Sequence, residues 1–222
     1  MNSAITRLAD DLSGAESVHD FHAALRRALG WYDQLNQTRV EQSSIQLVCR
    51  AGCSLCCWLR VDATAPEIFL IADTLRAELS PEALQPLQQR LAAHAQTVGR
   101  MTVLEHATRN VACPLSRDGW CSVYEVRPHT CRRHHSQDLA ACQFTHDHPE
   151  DLEFPGAHHR ELFEELTEAM GMHAAVYEYF GYDATVYELG SALEEALADP
   201  ACWLRWRGKK KAFRRASVTP SG

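Results

Sequence analysis

Thiol groups are concentrated in one part of this 222-residue sequence. The stretch CRAGCSLCC at 49–57 holds four cysteines, and eight of the nine cysteines lie between Cys49 and Cys142. Thiolates are soft ligands that bind zinc, copper(I) and iron–sulfur clusters, whereas disulfide frameworks usually spread their cysteines along the chain. We therefore expect a metal centre, and eight thiols fit two four-thiolate sites or fewer polynuclear ones. The alternative is a set of buried or free thiols without metal.

The adjacent pair Cys56-Cys57 needs its own explanation. The two-residue gap between Cys53 and Cys56 lets two sulfurs face one metal around a tight turn, which the permissive Gly52 helps to form. Neighbouring side chains in an extended or turn conformation point apart. We therefore expect Cys56 and Cys57 to serve two adjacent centres rather than one ion. Cys202, which is isolated beside a tryptophan, is expected to be a buried small residue.

Other groups that could bind a metal lie close to the last cysteines. Seven of the twelve histidines fall within 129–159, and we expect any single one of them to be solvated. Arginines flank Cys131, and we expect them to offset thiolate charge and to donate to nearby carbonyls. An acidic helical face follows, without the Glu-x-x-His unit of di-iron sites, and is expected to be solvated. Its members are Glu161, Glu164, Glu165 and Glu168.

The order of these motifs resembles a known family. After C-x3-C-x2-C-C comes CPLSRDGWCSVYEVRPHTCR at 113–132. This series resembles the YkgJ-type cysteine-cluster family of zinc- or iron-chelating domains, and flagellin lysine methylases contain a related module. The resemblance covers about Leu47 to Cys142. The ligand set that it implies is Cys49, Cys53, Cys56, Cys57, Cys113, Cys121, Cys131 and Cys142. His134 and His135 stand where the family is expected to be more hydrophobic, so they join Arg127 and Arg132 as possible residues around the ligands.

Cysteine ligation alone fits both an iron–sulfur cluster and zinc. The high density of thiols favours iron–sulfur slightly. The spacing Cys49-x3-Cys53-x2-Cys56 is also that of radical S-adenosylmethionine enzymes, but their large barrel needs alternating strands that this sequence lacks. The leading hypothesis is a metal-binding protein that chelates iron, as an iron–sulfur cluster, or zinc. One alternative is a redox protein or methyltransferase-associated enzyme that uses the centre, and another is an interaction module with a structural zinc site. Whether the protein is an enzyme stays open, because no cofactor-binding glycine loop or nucleophile–base pair stands out.

Composition and charge limit the remaining possibilities. Residues 1–204 hold 15 Lys and Arg against all 29 Asp and Glu, a net charge of −14, which makes nucleic acid an improbable partner for this acidic body. Residues 205–222 carry seven positive charges and are expected to form a flexible basic tail or to fold back on the body. No apolar stretch is long enough for a membrane span. The first residues lack the apolar segment of a secretory signal, so a cytoplasmic location is expected. No protein partner is indicated.

Helical periodicity surrounds the cysteines. Apolar residues recur three or four apart over about 17–40, 158–179 and 184–198, and capping signals start helices at Thr64 and Ser80. Asp118-Gly119 predicts a tight turn in a small hairpin that carries one cysteine on each side. The sequence therefore predicts a mainly α protein. Its helices surround an irregular cysteine-rich metal-binding centre at 45–142 with one small β-hairpin, within a single domain at 1–204.

Overall fold

The computed structural model describes residues 2–50 and 52–218, and in that part of the chain it is mainly α-helical. The helices are α1 (Asn2–Ser13), α2 (Val18–Gln42), α3 (Ala65–Glu78), α4 (Pro81–Val98), α5 (Val103–Ala107), α6 (His129–Arg133), α7 (Leu139–Asp147), α8 (Arg160–Tyr179), α9 (Leu189–Ala198) and α10 (Ala201–Arg207). The strands are β1 (Asp62–Thr64), β2 (Ser116–Arg117), β3 (Trp120–Cys121) and β4 (Val186–Glu188). The predicted fold class is confirmed.

Helices α3 and α9 form the centre of the core. They pack against each other, α4 packs on α9, and α2 packs on α3. Ile68 and Ile71 of α3 and Leu193 of α9 are completely buried. A helix that is apolar on nearly all sides is stable only inside a protein, and the other helices supply that environment. A second group of buried residues joins α2 to α8 around Tyr32 and Leu166.

Local signals start the helices where the sequence predicts. Glu67 accepts hydrogen bonds at 2.8 Å from both the backbone N–H and the hydroxyl of Thr64, the N-cap of α3. Ser80 accepts from the N–H of Ala83 at the start of α4, which opens with a proline. These contacts satisfy backbone donors that the first turn of a helix leaves free. Cap residues are short-range signals, so sequence patterns identify them well.

The predicted hairpin is present as β2 and β3, which pair antiparallel. Asp118 and Gly119 have φ angles of 52° and 81°, as a two-residue type I′ turn requires. Cys121 lies in β3, whereas Cys113 lies before β2. A second antiparallel pair, β1 with β4, was not predicted. Each of its strands has three residues and the partners are far apart in sequence, so local alternation cannot reveal them.

The basic C-terminal segment differs from the expected flexible tail over residues 205–218. Arg205 lies in α10, and Ala212 and Phe213 are completely buried. The buried carboxylate of Glu195 accepts hydrogen bonds from the backbone N–H groups of the three residues that follow Phe213 at 2.7–3.1 Å. Burial of that carboxylate requires such partners, and the segment supplies them. The structure therefore matches the alternative that this segment folds back on the body.

None of the helices that the structure describes is long and apolar enough to cross a membrane.

Candidate metal centre

The cysteine-rich segments meet where two tight turns touch. Gly52 has a φ of 81°, a backbone conformation that favours glycine, and it lies beside the ring of Trp120. A Cβ on Gly119 would lie 3.1 Å from the backbone oxygen of Gly52, so the tip of the hairpin rests directly on the CRAGC turn. The N–H of Cys113 also donates to the carbonyl of Cys57 at 2.8 Å. These backbone contacts bring the first four cysteines to Cys113 and Cys121.

A short 3₁₀ turn at Leu55–Trp58 presents Cys56 and Cys57. The Cys57 N–H donates to the Ser54 carbonyl at 2.9 Å, and the N–H of the following Leu59 donates to the Cys56 carbonyl at 3.2 Å. Helix α7, which carries Cys142, packs against this turn. The segment therefore has a defined backbone even though none of the residues described in 46–62 is buried.

One group of four thiols consists of Cys57, Cys113, Cys121 and Cys131. Burial raises the pKa of Cys131, and the three other thiols of this group raise it further as charged neighbours. Burial likewise raises the pKa of Cys113 to about 12, with contributions from Cys57 and Cys121. Thiols that influence one another in this way lie close together, because the interaction between charges falls with distance.

The other four thiols are less tightly connected. Burial raises the pKa of Cys49, and Cys142 and Cys53 raise it further as charged neighbours. Cys56 interacts with Cys57 and Cys131 of the first group as well as with Cys49. Cys49 and Cys56 lie at the protein surface, although neighbouring atoms partly surround their thiols. Cys57, Cys113, Cys121 and Cys131 thus form one set of interacting thiols, Cys53 and Cys142 interact with Cys49, and Cys56 interacts with both sets.

The two groups meet at Cys56 and Cys57. The Cys56 and Cys57 thiols interact strongly, which lowers the pKa of Cys57 and raises that of Cys56. This contact differs from the expectation that the two side chains point apart, because a 3₁₀ turn does not alternate its side chains as an extended strand does. The two thiols therefore lie at a boundary where neighbouring ions would be close together.

Backbone and hydroxyl donors surround several of the sulfurs. The Ser116 N–H donates to the Cys113 carbonyl at 3.0 Å, and the backbone N–H groups of Leu115 and Ser116 lower the pKa of the Cys113 thiol. The backbone of Val123 likewise lowers the pKa of Cys121, and that of Ser136 lowers the pKa of Cys49. Such donors stabilise thiolate over thiol and orient a metal ligand. They fit a role in metal ligation for these cysteines, since a thiol must lose its proton to bind the metal.

The thiol groups are more open than a completed tetrahedral site. Among the residues that the structure describes, the sets of three or more donors with all ligand atoms within 4.8 Å contain none of these eight cysteines. Zinc–sulfur bonds of about 2.3 Å place tetrahedral sulfurs roughly 4 Å apart. Binding of a metal would therefore draw the loops inward, and the exposed 3₁₀ turn has no buried side chain to resist this movement.

Two of the arginines act differently near the thiols. The positive charge of Arg127 lowers the pKa of Cys121 and of Cys131, although burial raises both more strongly. Arg132 is buried and donates to the carbonyls of Glu125 and Arg127 at 2.6 and 2.8 Å, and it also pairs with Asp33. Arg127 is thus an electrostatic neighbour of the thiols, whereas Arg132 holds the loop that carries them.

The histidines named as possible neighbours of the ligands have separate environments. His135 is buried, with Nδ1 2.9 Å from the Arg133 carbonyl and Nε2 accepting from the His159 N–H at 3.0 Å. Both of its ring nitrogens are therefore occupied by the backbone. His134 has an exposed side chain.

Cys202, predicted to be a buried small residue, is buried. It lies away from the other cysteines, and its sulfur is 3.0 Å from Arg205.

Two buried carboxylate–imidazole groups were missed by sequence reasoning. Glu67 Oε1 lies 2.8 Å from His129 Nδ1, and His129 Nε2 lies 2.8 Å from His173 Nδ1. Glu188 Oε1 lies 2.9 Å from His94 Nε2, with His106 in the same cluster. One signal was available for the second group. His94 falls on the apolar stripe of α4, whose other members are Leu87, Leu91 and Val98.

Comparison with known proteins supports the cysteine-rich region as a metal-binding module. Residues 48–153 match the model of the CxxCxxCC family, described as "Putative zinc- or iron-chelating domain". This match confirms the resemblance predicted from the sequence, and it extends from just before Cys49 to beyond Cys142. Neither the curated proteins nor the solved structures gave a match to the chain.

Proposed function

We propose that this protein chelates iron or zinc through eight cysteines arranged as two neighbouring four-thiolate groups. Cys57, Cys113, Cys121 and Cys131 form one group, and Cys49, Cys53, Cys56 and Cys142 form the other. The observation that carries this proposal is the contact between the two cysteine-bearing turns, in which the Cys113 N–H donates to the Cys57 carbonyl at 2.8 Å and Gly119 lies against Gly52. The family of the matched segment supports the same chemistry.

Iron, as an iron–sulfur cluster, is the preferred occupant. The contact between Cys56 and Cys57 favours ligands that serve closely spaced metal ions, which a polynuclear cluster provides. Two zinc ions, each in a separate four-thiolate site, are the alternative. Exposure of Cys49 and Cys56 favours a centre that exchanges metal or electrons with a partner over a sealed structural site. Metal ligation by all eight cysteines requires reduced thiols, and we therefore propose a cytoplasmic location.

Metal analysis of the anaerobically purified protein tests this proposal. We expect at least one metal per chain, with thiolate-to-metal charge-transfer absorption that dithionite bleaches if the metal is iron. Zinc in place of iron would give a colourless protein that loses the metal to a chelator. A metal content well below one per chain, without charge-transfer absorption after reconstitution with iron and sulfide or with zinc, would refute the proposal.

Single substitutions in the adjacent pair test the division into two groups. Cys57→Ser should impair the group that contains Cys113, whereas Cys56→Ser should impair the group that contains Cys49. Cys202→Ser is the matched control, because this thiol lies outside both groups, and it should leave the metal content unchanged. If Cys56→Ser and Cys57→Ser cause identical losses of metal and identical spectra, the two groups are one centre.

A further inference from the structure

A second set of metal-binding side chains lies in the interior, outside the eight cysteines. His94 of α4, His106 of α5 and Glu188 at the end of β4 are all buried. Their ligand atoms all lie within 4.8 Å of one another. Two imidazoles and one carboxylate that converge from three separate elements are the ligand set of many zinc sites with an open fourth position.

The space beside these three side chains suits a single ion. A cavity of about 10 Å³ is bounded by His94, His106 and Glu188, and otherwise mainly by apolar residues such as Leu59 and Val61. A volume of this order accommodates one water-sized particle. The three ligand side chains are themselves buried, which limits competition from bulk water for a bound cation.

The lack of a side chain at Gly190 makes room for the imidazole of His94. A Cβ on Gly190, in the first turn of α9, would lie 2.4 Å from Cδ2 and 2.6 Å from Nε2 of His94. Any other residue at this position would displace the imidazole from Glu188. Glu188 itself is held in place, because its oxygens accept from the N–H groups of Gly190 and Ser191 at 3.0 and 2.7 Å.

The guanidinium of Arg60 contacts one of the three proposed ligands and also pairs with a carboxylate. Arg60 donates to Nδ1 of His106 at 3.3 Å, and its other terminal nitrogen lies 2.9 Å from Asp62. An ion bound between the histidines would repel the guanidinium, and Asp62 is positioned to retain it. The contact with Arg60 therefore competes with metal binding at His106 without preventing it.

We propose that His94, His106 and Glu188 form a separate binding site for a divalent transition-metal ion such as Zn²⁺. The mixed nitrogen and oxygen ligands select a borderline ion, in contrast to the soft ligands of the cysteine groups. This site shares no ligand with the thiol centre, although Cys113 also lines the cavity. The proposal does not depend on occupancy of the cysteines.

Cobalt and zinc binding to the full chain test this site. Wild-type protein loaded with Co²⁺ should hold one more equivalent of metal than Glu188→Gln or His106→Gln, while the thiolate-to-cobalt charge-transfer band is the same in all three. Gly190→Ala should also lose this equivalent, because the added methyl group displaces His94.

His22→Gln is the matched control, since His22 also lies beside a carboxylate, that of Asp73, at 3.6 Å. The His22→Gln variant should bind as much cobalt as wild type. Equal cobalt content in wild type and in the folded Glu188 and His106 variants would overturn the proposal.

X-ray absorption of the zinc-loaded wild type keeps the test independent of how the variants fold. We expect nitrogen or oxygen neighbours at about 2.0–2.1 Å, in addition to any sulfur neighbours at about 2.3 Å. A shell of sulfur alone at saturating zinc would refute the new site and leave the thiol centre standing. A shell of nitrogen and oxygen alone would support the new site and refute the proposed thiol centre.

Discussion

The cysteine-rich loops and the pair of central helices are stabilised in different ways. None of the residues described in 46–62 is buried, whereas α3 buries nine of its residues and α9 seven. Apolar burial contributes about 25 cal/mol per Å², so it holds the helices but contributes little to the loops. We therefore expect the helical core to fold without metal, and the thiol loops to depend on backbone contacts and on the metal proposed to bind there.

A buried polar group connects the two regions. Glu67 belongs to α3, and it accepts from both the backbone N–H and the ring of His129 at 2.8 Å. His129 begins α6, the short helix that carries Cys131. Burial of a carboxylate is costly unless it is hydrogen-bonded, and here each oxygen has partners. The core therefore positions at least one thiol before any metal binds.

Removal of the metal should have the largest effect, and it should unfold the cysteine-rich loops while the central helices stay folded. With the thiol centre proposed here, a chelator and reductant should abolish amide protection over 46–62 while leaving protection in α3 and α9. Apparent binding free energies for four-thiolate zinc sites are on the order of 10 kcal/mol, and all of this would be lost from the loops. Hydrogen exchange followed by mass spectrometry measures it. Equal loss of protection in α3 and α9 would contradict the idea of an independent core.

Truncation of a core side chain should lower the stability of the protein without changing its metal content. Leu193→Ala removes a completely buried side chain and should lower the free energy of unfolding by about 2–5 kcal/mol. Metal bound per folded chain should not change. Denaturant unfolding and metal analysis measure the two quantities, and Leu204→Ala, at a position 69% exposed, is the control and should change neither. A loss of metal in folded Leu193→Ala protein would show that the loops and core are coupled.

The link through Glu67 should appear as a dependence of stability on pH. Burial opposes ionisation of Glu67, but His129 and its hydrogen bonds outweigh this and lower the pKa to about 2. A carboxyl group with a depressed pKa stabilises the fold above about pH 4.5, and this contribution of roughly 3 kcal/mol is lost as the pH falls towards 2.

Glu67→Gln should therefore be less stable than wild type at neutral pH, and its stability should change less between pH 4.5 and 2. Unfolding measured in denaturant across this pH range provides the test. Glu164→Gln, which alters an exposed carboxylate, should keep the wild-type dependence. If Glu67→Gln and wild type have parallel curves, the buried pair does not contribute the predicted stability.

The smallest expected effect on stability and metal binding comes from a change at the contact between the hairpin turn at Gly119 and the turn at Gly52. Gly119→Ala places a side chain at a φ of 81° and 3.1 Å from the Gly52 oxygen, which should cost about 1–2 kcal/mol and weaken metal binding. Competition with a chelator of known affinity measures the change. Gly171→Ala, in α8 with open space around the new methyl group, should stabilise the protein slightly and leave metal binding unaltered. Unchanged affinity in Gly119→Ala would show that the turns need not touch.

The sequence could predict the features that depend on neighbouring residues. Thr64 and Ser80 start helices because a cap needs only the next turn of the chain, and Asp118-Gly119 forms a hairpin because those two residues accept positive φ angles. The eight thiols were identified as ligands by their spacing and family resemblance, and that assignment stays a proposal. Their proposed division into two groups rests on the fold, since Cys142 and Cys131 are placed by separate helices.

What only the tertiary structure decided are the pairings between distant residues. The antiparallel register of β1 with β4, the Glu67–His129–His173 chain and the His94–Glu188 pair each join segments far apart in sequence. Charge alone left open a flexible basic tail or one folded back on the body, and over residues 205–218 the buried Glu195 supplies acceptors that hold the backbone. The physical reason is that burial makes a polar group dependent on its partner, and the identity of that partner is set by how the helices pack.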